Sequence, residues 1–167
     1  MRRILIIGNS GAGKSTLARR LGERLGLPVI HLDVLFWKPG WTESGDQAFR
    51  TRVAHALRGP DWICDGDFGS SLDLRFPLAD TVVWLDQPPI ICLARVIWRA
   101  IKYAEARRPG MAEGCRETID FKFYGYVWNW NRTRRPRLEA ALAAHGAHVR
   151  LIRLCRDSEI ADFLAQT

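Results

Sequence analysis

The sequence contains no apolar run that could cross a lipid bilayer, which takes about 20 consecutive apolar residues. Its N-terminus is basic at Arg2 and Arg3, but the apolar run that follows, Ile4–Ile7, is too short for the core of a secretory signal. Internal repeats, low-complexity segments and linker-like stretches are also missing. We therefore predict a single domain over residues 1–167, located in the cytoplasm and without a membrane partner.

Paired cysteines are missing as well, since none of the four cysteines belongs to a C-x-x-C pair. Such pairs are typical of zinc and thiol-redox sites, so the sequence does not favour either kind of site. Disulfides are not expected in a reducing compartment. We interpret Cys64 and Cys155 as thiols of the core, at strands or strand ends.

Positive charge is distributed unevenly along the chain. The net charge is +7, and the segment from Leu93 to Arg137 holds eleven Lys or Arg against four acids, so the whole excess lies there. Such a segment can contact phosphate groups, either of a bound nucleotide or of a nucleic acid. The charge alone does not distinguish between these two partners.

The most informative motif is Gly8-Asn9-Ser10-Gly11-Ala12-Gly13-Lys14-Ser15-Thr16, a P-loop pattern that follows an apolar strand and precedes a helix. Glycines let successive backbone N–H groups converge on an anion, and the following helix directs its positive end toward it. We predict that residues 8–16 all bind a nucleotide. Lys14 is predicted to act catalytically on the β- and γ-phosphates of ATP, and the Ser15 hydroxyl to bind Mg²⁺.

Apolar strands alternate with amphipathic helices along the rest of the chain. Strands are predicted at 29–32, 62–64, 81–85 and 148–154, and helices at about 17–25, 46–57, 89–107, 136–146 and after 157. This alternation indicates βαβ units and a parallel sheet, whose ligands bind beyond the carboxyl ends of the strands. We therefore predict an α/β fold in which a five-stranded parallel sheet is flanked by helices.

Carboxylates follow the predicted strands, where the sheet would direct them at a bound nucleotide. Asp65 follows Trp62–Cys64 and is predicted to hold Mg²⁺, the alternative being a cap on the turn at Gly66. Asp33 follows the second strand, and we predict that it binds the acceptor and accepts its proton; the alternative is a helix cap or a turn. Asp67 is predicted to contact the substrate.

Two further features flank Asp33. His31 should lie on the same side of the strand as Asp33 if the strand is regular, either bound to an acceptor group or as a hydrogen-bonded, partly buried side chain. Trp37 and Trp41 are predicted to form an aromatic wall of the substrate site, the alternative being a small apolar cluster beside the main core.

Arginines are predicted to bind the transferred phosphoryl group. Arg95 and Arg99 lie four residues apart on one helix and therefore on one face, where their guanidinium groups match phosphate oxygens; the alternative is a solvated helix face. We also predict an Arg-rich lid at about 107–135, in which Arg132 contacts the nucleotide.

Arg75 lies outside this basic segment. We predict that it binds the acceptor, and the alternative is an ion pair with Asp73 or Asp80.

Several segments carry a resemblance in combination. They are residues 8–16, His31-Leu32-Asp33 with Phe36-Trp37-Lys38-Pro39-Gly40-Trp41, Trp62-Ile63-Cys64-Asp65-Gly66-Asp67-Phe68, Leu72 to Arg75, Leu85-Asp86, Arg95 with Arg99, and Met111-Ala112-Glu113-Gly114-Cys115. Together they cover most of the chain and resemble the bacterial adenylate-kinase-related proteins known as topology-modulation or FlaR-type proteins.

The resemblance implies a nucleoside-monophosphate-kinase-like P-loop fold with strand order 2-3-1-4-5, and ATP and Mg²⁺ as ligands. It also implies that Arg95 and Arg99 match the paired arginines at the base of the adenylate kinase lid. Two adenylate kinase signatures are missing, because Asp65-Gly66-Asp67-Phe68-Gly69 stands in place of Asp-Gly-Phe-Pro-Arg and no Thr-Gly follows the second strand. AMP is therefore not implied as the acceptor.

These observations predict an ATP-dependent kinase that transfers the γ-phosphoryl group to a small-molecule or nucleotide acceptor. One alternative is a nucleic-acid-binding protein that regulates DNA topology, a partner that is possible but not favoured. The other is a nucleotide-controlled switch with little kinase activity. No motif specifies an oligomeric state.

Overall fold

The computed structural model describes residues 1–103, 115 and 119–167. Within these residues the strands are β1 (Arg3–Gly8), β2 (Val29–His31), β3 (Trp37–Lys38), β4 (Thr42–Glu43), β5 (Trp62–Asp65), β6 (Thr81–Leu85) and β7 (Arg150–Leu154). The helices are α1 (Lys14–Leu25), α2 (Leu32–Phe36), α3 (Asp46–Ala56), α4 (Leu72–Arg75), α5 (Pro89–Lys102), α6 (Phe121–Thr133), α7 (Arg135–His145) and α8 (Asp157–Gln166). None of the helices in this part of the chain has the length and apolar character needed to span a bilayer.

Five of the strands form one parallel sheet in the order β2-β5-β1-β6-β7, and β3 pairs with β4 in a separate antiparallel hairpin. Numbered within the large sheet, this is the order 2-3-1-4-5, so the predicted α/β fold and its strand order are confirmed. Ile4 of the central β1 lies beside Ile63 of β5 and Thr81 of β6. Because the strands are parallel, the residues that follow them meet at one edge of the sheet.

Helices cover both faces of the sheet. Ile4–Ile7 are fully buried, since successive strand side chains point to opposite faces and both faces belong to the core. One face packs against large side chains that include Phe49 of α3 and Trp130 of α6. The other packs against side chains that include Leu17 of α1 and Cys92 of α5. The sheet is therefore a rigid support for the loops at its carboxyl edge.

The second strand ends earlier than the sequence predicted. After His31 the chain enters α2 directly, so that Asp33 lies in the first turn of a helix. Strand alternation does not relate His31 to Asp33, and the prediction that used it was wrong. The short helix buries Leu32, whose side chain lies against Gly66.

The predicted lid at 107–135 was wrong in its second half. Residues 121–133 form α6, in which Val127 and Trp130 are buried on the two faces of the core. The helix begins behind Asp120, whose Oδ1 accepts the backbone N–H groups of Lys122 and Phe123 at 2.9 and 3.2 Å. The crowded aromatic residues thus belong to a core helix. The rest of the lid prediction falls on residues that, apart from 115, 119 and 120, lie outside those described.

The thiols differ in their access to reagents. Cys64 and Cys92 are fully buried, and burial raises the pKa of Cys64 to about 12 and also raises the pKa of Cys92. Cys155 is only half-buried, in the turn after β7. The interpretation as a core thiol is therefore confirmed for Cys64.

Because the thiolate is the reactive form, we expect iodoacetamide at pH 8 to modify Cys155 first in the native protein and to spare Cys64 and Cys92. Mass spectrometry of tryptic peptides would measure the order of modification. In urea Cys64 and Cys92 should react as well, whereas modification of Cys64 before Cys155 in the native protein would contradict the burial of β5.

Candidate functional site

The P-loop, residues 8–16, uses backbone conformations that favour glycine. Gly8, Gly11 and Gly13 have φ values of 136°, 85° and 99°, at which other side chains are strained. A Cβ atom would also lie 2.3 Å from the carbonyl oxygen of Leu85 at Gly8, and 2.3 Å from that of Cys92 at Gly11. The loop therefore packs directly on the end of β6 and on α5, and larger residues at these positions would displace it.

The P-loop leads straight into the amino end of α1. This helix begins at Lys14, and no side chain bonds to its first turn at Gly13. The first four N–H groups of a helix lack partners within it, and the helix dipole adds partial positive charge there. This end of α1 is thus suited to bind an anion such as a phosphate.

The ammonium group of Lys14 lies at the centre of the site. It donates hydrogen bonds of 2.9 Å to the carbonyl oxygens of Gly8 and Asn9, so the side chain folds back over its own loop. Burial lowers the pKa of Lys14. The carboxylates that oppose this shift belong to Asp67, Asp33 and Asp65, in decreasing order. One half-buried positive charge is therefore balanced by acids from three places in the chain.

Asn9 joins the P-loop to α6. Its Nδ2 donates a hydrogen bond of 2.9 Å to the carbonyl oxygen of Val127, and the residue is 1% exposed. Because Val127 is itself buried in the core, the loop is anchored to a helix far along the chain. No sequence signal relates these two positions.

Asp65 ends β5 and pairs with His31 at the end of the neighbouring β2. Its Oδ1 lies 2.5 Å from His31 Nδ1, and its side chain is 4% exposed. The N–H of Gly66 bonds to the carbonyl oxygen of Ile6. The structure adds His31 as the partner of Asp65, and the Mg²⁺ role of Asp65 stays a prediction.

Asp67 lies two residues further on, in the loop of residues 66–71, which we call the Asp67 loop. Its Oδ2 accepts a hydrogen bond of 3.0 Å from Trp130 Nε1. Burial raises the pKa of Asp67, and the positive charge of Lys14 and the Trp130 hydrogen bond oppose that shift. The carboxyl group is held in place from α6 and is electrostatically coupled to Lys14.

Tyr126 of α6 joins the same group of side chains. Burial raises its pKa to about 12, and the negative charges of Asp67 and Asp33 act in the same direction. Asp33, in the first turn of α2, therefore faces the region that holds Lys14, Asp67 and Tyr126. Tyr126 has no assigned role among the sequence predictions, because its only signal in the sequence is its place in an aromatic-rich segment.

Arg75 is fully buried and has no access to an acceptor. Its guanidinium donates hydrogen bonds to the carbonyl oxygens of Gly66 and Phe68 at 2.9 and 2.7 Å. Its Nε is 3.1 Å from the hydroxyl and 3.3 Å from the carbonyl oxygen of Ser71. The predicted contact between Arg75 and the acceptor was therefore wrong.

The alternative ion pairs of Arg75 were wrong as well. Asp73 forms hydrogen bonds of 2.8 and 2.7 Å with the guanidinium of Arg50. Asp80 accepts the backbone N–H groups of Arg2 and Arg3 at 2.7 and 2.9 Å.

Arg95 points from α5 toward the first turn of α8. Its Nη2 lies 2.6 Å from Asp157 Oδ2, and Arg99 is half-buried one turn further along α5. A cavity of about 260 Å³ lies between α1, α5 and α8, beside the P-loop. Its lining residues are Ala12, Gly13, Thr16, Leu17, Arg20, Arg95, Asp157, Ile160 and Leu164.

The arginines at the end of α6 differ in position. Arg132 is exposed in the last turn, and its contact with a nucleotide stays a prediction. Arg134 lies with its guanidinium carbon 5.3 Å from the ring centroid of Tyr126, and its charge weakly opposes the rise that burial causes in the pKa of Asp67. Arg134 is thus a basic residue beside the site that the sequence did not distinguish from its neighbours.

The β3–β4 hairpin forms a small apolar cluster of its own. The rings of Trp37 and Trp41 are 5.3 Å apart, and both pack on the buried Cys115. Cys115 Sγ lies 3.3 Å from the carbonyl oxygen of Lys38. This arrangement corresponds to the alternative of a cluster beside the main core, and a substrate contact by Trp37 stays a prediction.

Among residues 1–103, 115 and 119–167, no group of three or more His, Cys, Asp or Glu side chains is placed to hold a metal ion by itself. Mg²⁺ does not require such a group, because it is usually bound by one or two carboxylates together with water and phosphate oxygens. Ser15 at the start of α1 and Asp65 at the end of β5 are oxygen donors of the required kind.

The structure therefore unites Lys14, Asp33, Asp65 and Asp67 at the carboxyl edge of the sheet, and it directs Arg95 to a cavity beside the P-loop. It removes Arg75 from this group and adds Tyr126.

No family model matches the chain. A shikimate kinase from Paramagnetospirillum magneticum (strain ATCC 700264 / AMB-1) is 31% identical over an alignment of 113 positions, which covers 59% of this chain and 58% of that protein. The match thus spans less than two thirds of that relative.

Two solved structures share the fold along nearly the whole chain. A shikimate kinase from Bacteroides thetaiotaomicron has a TM-score of 0.58 at 18% identity and covers 99% of this chain and 95% of its own. A shikimate kinase from Acinetobacter baumannii in complex with shikimate has a TM-score of 0.59 at 18% identity, with 99% and 90% covered. The chain has this P-loop kinase fold, and it is related in sequence to a shikimate kinase.

The pKa shifts of two acids predict opposite effects of neutral substitution. Burial raises the pKa of Asp67, so its ionised form destabilises the folded state above that pKa. We expect Asp67→Asn to raise the free energy of unfolding at pH 7.5, and to raise it less at pH 5, where the folded carboxyl is closer to neutral. Urea denaturation at both pH values would measure the difference.

Asp73→Asn is the matched control. The hydrogen bonds from Arg50 hold the pKa of Asp73 below its usual range, so its ionised form stabilises the folded state above the unfolded pKa. This variant should lose stability at pH 7.5, with the loss shrinking as the pH falls through the folded pKa. An equal loss in both variants would contradict the cost assigned to the buried charge of Asp67.

Proposed function

We propose that the protein is an ATP-dependent phosphotransferase that transfers the γ-phosphoryl group of ATP to a hydroxyl or phosphate of a small molecule or nucleotide. The observation that carries the proposal is the half-buried Lys14 ammonium, which bonds to the P-loop and lies near three carboxylates. Groups suited to a triphosphate and groups suited to an acceptor thus surround one lysine.

Phosphate binding follows from the chemistry of the P-loop. The unpartnered N–H groups at the start of α1 and the Lys14 ammonium would bind phosphate oxygens. Lys14 would then exchange its two carbonyl partners, Gly8 and Asn9, for charged ones. Positive charge in this position stabilises the negative charge of the transferred group.

Ser15 and Asp65 would hold Mg²⁺ together with phosphate oxygens and water. The bound ion would neutralise charge on the phosphates. His31 orients Asp65 through its hydrogen bond of 2.5 Å, which keeps the carboxylate fixed at the end of β5.

The cavity beside the P-loop would take the nucleoside part of ATP. Its lining combines the backbone of Ala12 and Gly13 with the apolar side chains of Ile160 and Leu164. Arg95 lies at its border and would move from Asp157 to a phosphate oxygen when the nucleotide binds.

The acceptor would lie on the opposite side of Lys14. Asp33 would accept the proton of an attacking hydroxyl, and Asp67 would orient the acceptor. Tyr126 and Arg134 add a phenol and a positive charge to the same region. The shikimate kinases with this fold support a small hydroxylated acceptor as the first compound to test.

The resemblance to topology-modulation proteins leaves nucleic-acid binding as the alternative function. Part of the basic segment is already engaged within the protein, since Arg135 pairs with Asp86 and Glu139. We therefore favour a nucleotide over DNA as the partner of this segment.

The proposal is tested by calorimetry with MgATP and by a phosphoryl-transfer assay with a panel of acceptors that includes shikimate, nucleosides and nucleoside monophosphates. We expect Lys14→Ala to lower the transfer rate by about 10²-fold or more, because it removes a charge that acts on the transition state. Lys122→Ala, which removes an exposed lysine on α6, is the control and should retain the native rate. Absence of MgATP binding by the native protein would refute the proposal, and binding without transfer to any acceptor would favour the nucleotide-controlled switch.

The nucleoside cavity makes a separate prediction. Ile160→Trp should fill the cavity and weaken binding of ATP by about tenfold or more, which corresponds to roughly 1.4 kcal/mol. Binding of tripolyphosphate should change little, since that ligand uses only the P-loop. Ile101→Trp on the exposed side of α5 is the control, because residue 101 is 70% exposed and does not line the cavity. Equal weakening of both ligands in a folded Ile160→Trp protein would exclude this cavity as the nucleoside site.

A further inference from the structure

A fully buried arginine lies beneath the acceptor side of the site. Arg75 in α4 is 0% exposed, so its guanidinium group contacts neither solvent nor a ligand at the surface. Burying an arginine is costly unless its N–H groups all find acceptors, and burial accordingly lowers the pKa of Arg75. The hydrogen-bond partners of Arg75 therefore indicate which part of the structure this buried charge stabilises.

The partners of Arg75 flank one residue. Its Nη1 bonds to the carbonyl oxygen of Gly66 at 2.9 Å and its Nη2 to that of Phe68 at 2.7 Å. These carbonyl groups precede and follow Asp67, so the two ends of the guanidinium fork grip the backbone on both sides of that residue. The Nε contacts with Ser71 secure the far end of the Asp67 loop.

Arg75 acts together with other contacts at this point, since the N–H of Gly66 bonds to the carbonyl oxygen of Ile6 and the ring of Phe68 packs on Phe36 and Phe49. Gly66 has a φ of 135°, so the chain turns there in a conformation that favours glycine. The side chain of Asp67 accepts a hydrogen bond from Trp130 Nε1. A shift of the two flanking peptide groups would therefore move the carboxylate relative to Lys14.

We propose that Arg75 is the positioning residue of the acceptor site, and that its guanidinium fork on Gly66 and Phe68 sets where the Asp67 carboxylate stands relative to Lys14 and Trp130. The catalytic consequence rests on the proposed function, in which Asp67 orients the acceptor. The structural part, the control of Asp67 by Arg75, does not depend on that function. Neither an acceptor contact nor an ion pair is required of Arg75.

Arg50 provides a matched control on the same loop. Its Nη1 donates to the carbonyl oxygen of Ser70, and its guanidinium pairs with Asp73. It thus secures the same loop from the outer side but contacts neither peptide group beside Asp67. Arg50→Ala should cost stability without moving Asp67.

The test uses the indole N–H signals of the ¹⁵N-labelled full-length protein, with the Trp130 signal assigned by Trp130→Phe. In the native protein this signal should lie downfield because Trp130 donates to a carboxylate, and Asp67→Asn should move it. We expect Arg75→Met to move the Trp130 signal upfield, Arg75→Lys to move it part of the way, and Arg50→Ala to leave it in place. A merely structural role would lower the melting temperature of the Arg75 and Arg50 variants alike without this selective shift.

MgATP binding and transfer kinetics separate this inference from the proposed function. With shikimate as the first acceptor probe, or any acceptor that the native protein phosphorylates, Arg75→Met should lower kcat/KM for the acceptor by about 10²-fold. The same variant should bind MgATP with an affinity within a few-fold of the native protein. Absence of MgATP binding by the native protein would refute the proposed function alone.

An unmoved Trp130 signal in a folded Arg75→Met or Arg75→Lys protein would refute the inference. If neither variant folds, the test uses the Nε–H signal of Arg75, which is measured in the native protein and in Asp67→Ala. Asp67→Ala should shift that signal if the two residues are coupled, and an unchanged signal would overturn the proposal.

Discussion

The positive charge of the half-buried Lys14 is the constraint on which the site depends. Burial lowers the pKa of this lysine, and an ammonium group with reduced access to water needs acceptors and opposite charge. Two carbonyl oxygens of its own loop supply the hydrogen bonds, and Asp67, Asp33 and Asp65 supply the charge. Those acids come from the Asp67 loop, α2 and β5, so one electrostatic requirement relates three separate parts of the chain. A triphosphate would meet the same requirement with more charge, which is why the ligand-free loop is suited to receive one.

The parallel sheet brings these parts of the chain together at one edge. The P-loop packs so closely on that edge that two of its positions have no space for a side chain. Strands β1 and β5 end side by side, so the pairing of these strands is sufficient to place the start of the P-loop next to Asp65. The close approach of the loop to β6 and α5, where a Cβ would be 2.3 Å from a carbonyl oxygen, then restricts Gly8 and Gly11 to glycine.

The sequence predicted the parts of this structure that depend on local pattern. The five-stranded sheet, its order and the P-loop follow from apolar runs, glycine spacing and a family resemblance, and they are confirmed. The misassigned features depend on tertiary contacts. Arg75 was predicted to contact the acceptor or to pair with Asp73 or Asp80, whereas the Asp67 loop offers it four acceptor atoms inside the core.

The helix α6 illustrates the same limit more fully. Its aromatic residues, without clear periodicity, were included in a lid, although Trp130 and Val127 are buried in the core. Tyr126 could not be identified from the sequence because its role depends on acids nearly 60 positions or more upstream. Likewise, the pairing of His31 with Asp65 required a register between two strands that the sequence did not provide.

This helix also explains how the two halves of the site are kept in register. The carbonyl oxygen of Val127 accepts a hydrogen bond from the side chain of Asn9 in the P-loop, and one turn later Trp130 donates to Asp67. Both contacts come from a single rigid element, so a displacement of α6 would move the P-loop and the Asp67 carboxylate together. Arg75 holds the backbone around Asp67 from the opposite direction. The position of Asp67 is thus defined by two helices. Trp130 of α6 holds the Asp67 side chain, and Arg75 of α4 holds the backbone on both sides of Asp67.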